Sequence, residues 1–194
     1  KLVSEARALY KYREAKKIIS VTFWIAIILG MTATIFTFMG SGILSKFAGM
    51  KLDASLSIQV LAPTILFMAI AASLRGYFQG HNDMLPTAIS QVIENVAKLF
   101  IGLFLAYLFL QSAKPVVAAA ATAGTTIGAV LSAAYLFILY LIRKRKNAED
   151  LERDESKDGP VLGRIMTIAI PVTIGAFIIT VTNSIDLFTL VRRL

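Results

Sequence analysis

The amino-acid sequence predicts an all-α integral membrane protein, a polytopic helical bundle, and two features carry that prediction. Of its 194 residues, 57% are hydrophobic and only 16% are charged, whereas about 25% are charged in a typical soluble domain. Five stretches carry no charge, or almost none, over the roughly 20 positions that a helix needs to cross a bilayer. None of them alternates apolar with polar residues as a barrel strand does, so each is expected to be a helix.

The five predicted spans cover residues 18–40, 54–74, 84–110, 115–142 and 165–185. The basic segment before them, 1–17, has apolar residues at helical spacing, so it either lies along the membrane surface or forms a plain loop helix. Residues 143–164 form a charge-rich linker with seven basic and six acidic residues, which separates the first four spans from the last. Because the chain begins with Lys1 and no signal pattern opens it, we expect an internal piece of a longer protein.

The distribution of basic residues predicts the orientation. Segment 1–17, the turn between spans two and three, and the linker together hold fourteen Lys and Arg residues, and the segments on the opposite side hold five. By the positive-inside rule the first group faces the cytoplasm, in a multi-pass protein of the bacterial cell membrane. Acids nearly balance bases in the linker, so we expect no nucleic-acid partner, and only its opening Arg-Lys-Arg-Lys run suits anionic membrane lipids.

The turn between spans two and three, RGYFQGHNDMLP, gathers polar residues between two apolar runs. Gly76 and Gly80 permit backbone conformations that let span two end, and Pro86 suits the first turn of span three. Asp83, or the asparagine before it, can cap that helix. Arg75 either bonds the last carbonyls of span two or pairs with Asp83 across the turn. The predicted role of these residues is to hold a tight cytoplasmic hairpin.

Few residues are available for catalytic or metal chemistry. The chain has no cysteine and one histidine, which excludes a disulfide, a thiol nucleophile and a thiolate metal site, and we expect no cofactor and no metal ion. The remaining enzymatic hypothesis is an integral-membrane transferase in which His81 is a base and Asp83 orients it. His81 in a turn is also explained as a solvated loop residue.

Two charges interrupt the third span. Glu94 and Lys98 lie four residues apart with the acid first, so they share a helix face and can pair. Counted from Pro86, Glu94 lies about 12 Å and Lys98 about 18 Å into the membrane, near the middle of a core about 30 Å thick. A charge at that depth costs on the order of 2.5 to 3.5 kcal/mol in lipid. We therefore expect the Glu94 and Lys98 side chains to face protein or a water-filled cavity. Their role is either in transport or in a purely structural ion pair.

Small and polar residues mark the last two spans. Gly124 and Gly128 in the fourth span have the spacing that lets helix backbones approach closely, which is common for packing alone. The fifth span contains Pro171, a plausible kink, and carries Asn183 and Asp186 near its end. Kinked spans with polar residues are typical of transporters, and a structural kink is the alternative.

Residues 74–100, LRGYFQGHNDMLPTAISQVIENVAKLF, resemble the segment around the fourth and fifth helices of the polysaccharide and lipid-linked oligosaccharide flippases. The branch they resemble most is that of stage V sporulation protein B and the MurJ-type lipid II flippases. EARALYKYREAKKI resembles the loop before the third helix of these proteins, and IPVTIGAFIITVTNSIDLFTLVRRL resembles their seventh helix. The residues of the central motif that fit are Arg75, Gly76, Phe78, Gln79, Gly80, Met84, Pro86, Thr87, Ser90, Gln91 and Glu94.

The resemblance implies a two-lobed transporter of about fourteen helices, of which this chain would supply helices three to seven. Segment 1–17 would be cytoplasmic, 18–142 would be four helices of the N-terminal lobe, 143–164 the inter-lobe linker, and 165–194 the first helix of the C-terminal lobe.

Such proteins open a central cationic cavity alternately to each side of the membrane. The implied function is therefore that of a flippase for an undecaprenyl-linked peptidoglycan or polysaccharide precursor, without covalent chemistry and with any coupling ion left open. The candidate cavity or gating residues are Glu94, Lys98, Asn183 and Asp186. A cation-coupled multidrug exporter of the same fold is the alternative, because a fold does not settle its substrate.

Overall fold

The computed structural model describes residues 2–8, 12–47 and 54–146, and isolated positions between 163 and 178. The contiguous ranges contain six helices and no strand. These helices are α1 (Leu2–Ala8), α2 (Tyr12–Met39), α3 (Ser41–Phe47), α4 (Ala54–Gly80), α5 (Leu85–Leu108) and α6 (Lys114–Lys146).

Among the described residues, four helices are long and apolar enough to cross a membrane, namely α2, α4, α5 and α6. The all-helical membrane bundle and its first four spans are thereby confirmed. Helices α2, α4 and α6 extend beyond the apolar runs at the end where α2 begins and α4 and α6 end, because a helix can continue into the polar region at the membrane surface. Helix α5 is slightly shorter than its predicted span. Positions described between 163 and 178 are helical. The other positions of the predicted fifth span, among them Asn183, lie outside the described residues, and so does Asp186 just after it.

The membrane-spanning helices do not pack in chain order. Helix α2 packs against α4, α4 packs against α6, and α6 packs against α5, while α4 and α5 contact each other only sparsely. Helix α6 therefore lies between two helices that are joined by a turn of four residues. Throughout, the turn end of the bundle means the end that holds the α4–α5 turn, the beginning of α2 and the end of α6.

The contact between α5 and α6 is a close approach of two backbones. A Cβ atom added at Gly124 would lie 2.5 Å from Gly102 Cα and 2.9 Å from the Lys98 carbonyl oxygen, and one added at Gly128 would lie 2.7 Å from the Glu94 carbonyl oxygen. No side chain fits at either position, since the obstructing atoms belong to the backbone. The packing interpretation of this small-residue spacing is confirmed.

Helix α4 contains Pro63, which has no N–H to donate and so weakens the helical bonding of the preceding turn. Threonines of both neighbouring helices donate to carbonyls in that turn. Thr126 of α6 bonds the Val60 carbonyl at 2.7 Å, and Thr34 of α2 bonds the Ala62 carbonyl at 3.2 Å. Side-chain donors of this kind help to satisfy the backbone carbonyls beside a proline in a membrane helix.

Candidate functional site

A polar cluster joins α4, α5 and α6 in the half of the bundle nearer the turn end. The Arg75 guanidinium donates from Nε to Ser90 Oγ at 3.1 Å, and from Nη2 to Glu94 Oε2 at 2.6 Å and Ser132 Oγ at 3.0 Å. The side chains of Arg75 and Glu94 are only 14% and 18% exposed, and both serines are fully buried. We call these four residues the three-helix cluster.

The sequence brings the cluster together through two helical spacings. Ser90 and Glu94 lie four residues apart and share one face of α5. Ser132 lies one helical turn beyond Gly128, so it is on the face of α6 that packs closely on α5. The guanidinium enters from α4 and satisfies acceptors of both other helices, so the cluster holds one cation and one anion with hydrogen bonds around them. This is the arrangement that makes a buried ion pair tolerable.

The three-helix cluster corrects two expectations. Arg75 does not pair with Asp83 across the turn, because its side chain reaches into the bundle toward α5 and α6. Glu94 does not use Lys98 as its partner, because Arg75 approaches the carboxylate from a different helix. The spacing within α5 favoured a pair of Glu94 with Lys98. The packing of the three helices instead brings the Arg75 guanidinium of α4 within hydrogen-bond distance of the Glu94 carboxylate.

Lys98 has a different environment from Glu94. Its side chain is exposed on the bundle, and among the residues that the structure describes none pairs with its ammonium group. Counted from Leu85, Lys98 lies about 20 Å along a helix of about 36 Å, which is near the middle of the span. An ammonium group at this depth is disfavoured by lipid, so the side chain must face protein or water.

At the turn end, Asp83 joins the beginning of α5 to the end of α6. Its Oδ1 accepts from the Leu85 N–H at 3.2 Å, and its Oδ2 accepts from Nη1 of Arg143. The Arg143 guanidinium also lies 5.5 Å from the centroid of the buried Phe78 ring, a favourable cation–π position. The N-cap of α5 is Met84, which has no side-chain cap hydrogen bond, so Asp83 is not the helix cap. Asp83 instead bonds the Leu85 N–H within the turn, and its ionic partner is Arg143.

Of the two glycines of the turn motif, Gly76 lies inside α4 and Gly80 is the last residue of that helix, so span two ends at the second glycine. Helix α4 continues through Gly76 to Gly80, and the residue with positive φ is Asn82, at 57°. A Cβ added at Gly80 would lie 2.6 Å from Val3 Cγ1, so this glycine makes room for α1. Gly76 lies open beside an apolar cavity of about 310 Å³ between α1, α2 and α4. Pro86 lies in the first turn of α5 as predicted.

The hydrogen bonds of the turn give His81 and Asp83 structural roles. Nδ1 of His81 is 2.8 Å from the Tyr77 carbonyl oxygen, and its ring lies 4.2 Å from the Tyr77 ring. The carboxylate oxygens of Asp83 are engaged by Leu85 and Arg143. This geometry gives no support to a dyad in which Asp83 orients His81 as a base.

Three contacts of the site were not predicted from the sequence, namely those of Ser90 and Ser132 as hydrogen-bond acceptors of Arg75 and that of Arg143 with Asp83. A signal for Ser90 was present in its spacing to Glu94, and a signal for Ser132 in its spacing to Gly128. For Arg143 no local signal existed, because its partner is separated from it by 60 positions.

Comparison with known proteins gives a family match along nearly the whole chain. The family described as "Polysaccharide biosynthesis protein" matches residues 3–194. No solved structure matches the chain.

Three similar proteins come from Bacillus subtilis (strain 168). The chain is 26% identical to "Stage V sporulation protein B" over 92% of its own length and 35% of that protein. It is 26% identical to "Uncharacterized membrane protein YabM" over 79% of itself and 29% of that protein. It is 25% identical to "Lipid II flippase MurJ" over 74% of itself and 28% of that protein. The chain thus spans about a third of the length of these curated relatives.

Proposed function

Because the chain belongs to the polysaccharide biosynthesis protein family and is a multi-pass membrane protein, we propose that the whole protein flips a lipid-linked sugar precursor across the membrane. The substrate we propose is an undecaprenyl-linked peptidoglycan or polysaccharide precursor. The similarity to a lipid II flippase supports this substrate class. We further propose that the turn end faces the cytoplasm, as the distribution of basic residues indicates.

The observation that carries the proposal is the position of Lys98. An exposed ammonium group about halfway along a membrane helix requires a polar or anionic neighbour, and the described residues supply no acid for it. The phosphate groups of a lipid-linked sugar are anions that a cation can bind during passage. A positive charge disfavours the alternative of an exporter for organic cations, since like charges repel.

The three-helix cluster has a different proposed role, that of gating. Arg75 and Glu94 fix the relative positions of α4 and α5, two helices that otherwise contact each other sparsely. A transporter that alternates between two states needs contacts that differ between those states. We propose that this ion pair stabilises one of them, and that Asn183 and Asp186 contribute to the cavity.

The test measures precursor flipping and folded yield of the whole protein with Glu94→Gln, Lys98→Met and the double substitution. Lys98→Met should abolish or strongly reduce flipping at unchanged yield, because the substitution removes the proposed substrate contact and breaks no ion pair with any of the described residues. Glu94→Gln should reduce both flipping and folded yield, because it leaves the Arg75 guanidinium without its carboxylate partner. Lys98→Arg is the matched control and should retain flipping.

Two results would contradict the proposal. Normal flipping in all three variants at unchanged yield would remove the functional role of both residues. Yield lost in each single variant and regained in the double variant would show that Glu94 and Lys98 only stabilise the fold as a pair, against the Arg75 partnership seen in the structure.

A further inference from the structure

Two amide side chains lie on the same face of α5 as Lys98. Gln91, Asn95 and Lys98 follow one another at spacings of four and three residues, which places them on one helix face. All three are exposed, and within the described part of the chain neither amide has a side-chain hydrogen-bond partner. We call these three residues the α5 polar stripe.

The α5 polar stripe lies within the membrane span, not at its end. Counted from Leu85 at about 1.5 Å per residue, Gln91 lies about 9 Å, Asn95 about 15 Å and Lys98 about 20 Å along the helix. An amide that faces hydrocarbon without a hydrogen-bond partner is strongly disfavoured. The neighbouring exposed positions of α5 are apolar, with Val92, Val96, Leu99, Phe100 and Leu103 among them. The exposed polar side chains in the middle of α5 therefore form one stripe, and that stripe requires a polar neighbour.

We propose that the α5 polar stripe binds the sugar and phosphate portion of the transported lipid, with Lys98 at the phosphate and Gln91 and Asn95 at the sugar hydroxyls. This inference rests on the proposed function. A primary amide offers two donors and an acceptor, which matches the donor and acceptor hydroxyls of a sugar. Lys98 has no anionic partner among the described residues, so charge complementarity favours a ligand that brings phosphate next to hydroxyl groups.

The arrangement also predicts an order along the helix. The two amides occupy the part of α5 nearer the turn end and Lys98 occupies the middle of the span. A substrate bound along the stripe therefore places its sugar toward the turn end and its phosphate near the middle. Gln91 and Asn95 become determinants of sugar recognition that are separate from the cation.

The experiment compares two synthetic ligands for the purified whole protein in lipid nanodiscs. One is a polyprenyl diphosphate that carries a disaccharide, and the other is the same polyprenyl diphosphate without sugar. The variants are Gln91→Met, Asn95→Leu, Asn95→Ser and Lys98→Met. Gln79→Met is the matched control, because Gln79 is exposed on α4 at the turn end.

We expect Gln91→Met and Asn95→Leu each to weaken binding of the sugar-bearing ligand about three- to tenfold, the range for one lost hydrogen bond, without affecting the sugar-free ligand. Asn95→Ser should retain the fold and show an intermediate loss. Lys98→Met should weaken the binding of both ligands equally, and Gln79→Met should change the binding of neither.

Equal weakening of both ligands by the amide variants would overturn sugar recognition by Gln91 and Asn95. Loss of folded yield with unchanged affinity in the remaining protein would show that the stripe packs on other helices, which also overturns it. If the wild-type protein binds neither ligand, the proposed function itself fails. If it binds both ligands equally well, only the sugar-binding inference fails.

Discussion

The ion pair between Arg75 and Glu94 predicts strong energetic coupling between α4 and α5. The two perturbations are Arg75→Met, which retains an apolar stem of similar length, and Glu94→Gln, which retains shape and removes charge. Each single variant leaves a charge, or the site of a charge, without its partner in a region where both side chains are less than a fifth exposed. The double variant removes both charges together.

The expected magnitude follows from burial. Removal of one partner of a buried pair costs about 3 to 5 kcal/mol, whereas replacement of both partners by apolar groups is often close to neutral. Because both side chains keep some exposure, and because Arg75 also bonds Ser90 and Ser132, we expect losses of unfolding free energy below that range, about 2 to 3 kcal/mol for each single variant. The double variant should lose less than the sum of the two by at least about 1.5 kcal/mol, as residues in one network do.

The assay is a double-mutant cycle on the unfolding free energy of the whole protein in detergent micelles. The matched comparison is the pair Asp83 and Arg143 at the turn end, whose side chains are 27% and 40% exposed. We expect that pair to couple by about 1 kcal/mol or less, because water screens it. Additive losses at Arg75 and Glu94, or equal coupling in the two pairs, would refute the reasoning.

Three further predictions concern the packing and the orientation. Gly80→Val should lower folded yield without altering substrate preference, because its side chain would meet Val3 at 2.6 Å, whereas Gly76→Val, with nothing within 4 Å, should be tolerated; normal yield for Gly80→Val would contradict this. Gly124→Val should lower thermal stability more than Gly80→Val does, because the Cβ at position 124 would meet backbone atoms; similar thermal stability of the two variants would contradict this. A cysteine at Asp154 should react with an impermeant thiol reagent only after the membrane is opened, and labelling on intact cells would reverse the orientation.

The membrane spans could be predicted from the sequence because hydropathy is a local property. An uninterrupted apolar run such as 115–142 requires a helix in lipid wherever its neighbours lie. The beginning of α2 was harder to predict, since Arg13, Lys16 and Lys17 belong to the helix although their charge removes them from the apolar run. Hydropathy locates the membrane core, and the helix itself extends beyond it.

The partners within the site could not be predicted, because they depend on the order of the helices in space. Spacing along α5 made Lys98 the natural partner of Glu94. Only the position of α6 between α4 and α5 shows that Arg75 reaches the carboxylate. The role of Gly80 also depends on the position of another helix, because this glycine makes room for Val3 of α1.

The measurement that most directly tests the central claim is transport by the purified whole protein in proteoliposomes. Two compounds are compared, a fluorescent polyprenyl-diphosphate sugar and a fluorescent organic cation. We expect the protein to move the lipid-linked sugar across the bilayer, Lys98→Met to remove this movement and Lys98→Arg to preserve it, and the organic cation not to be moved. Transport of the cation without movement of the lipid-linked sugar, or flipping that is unchanged by Lys98→Met, would contradict it.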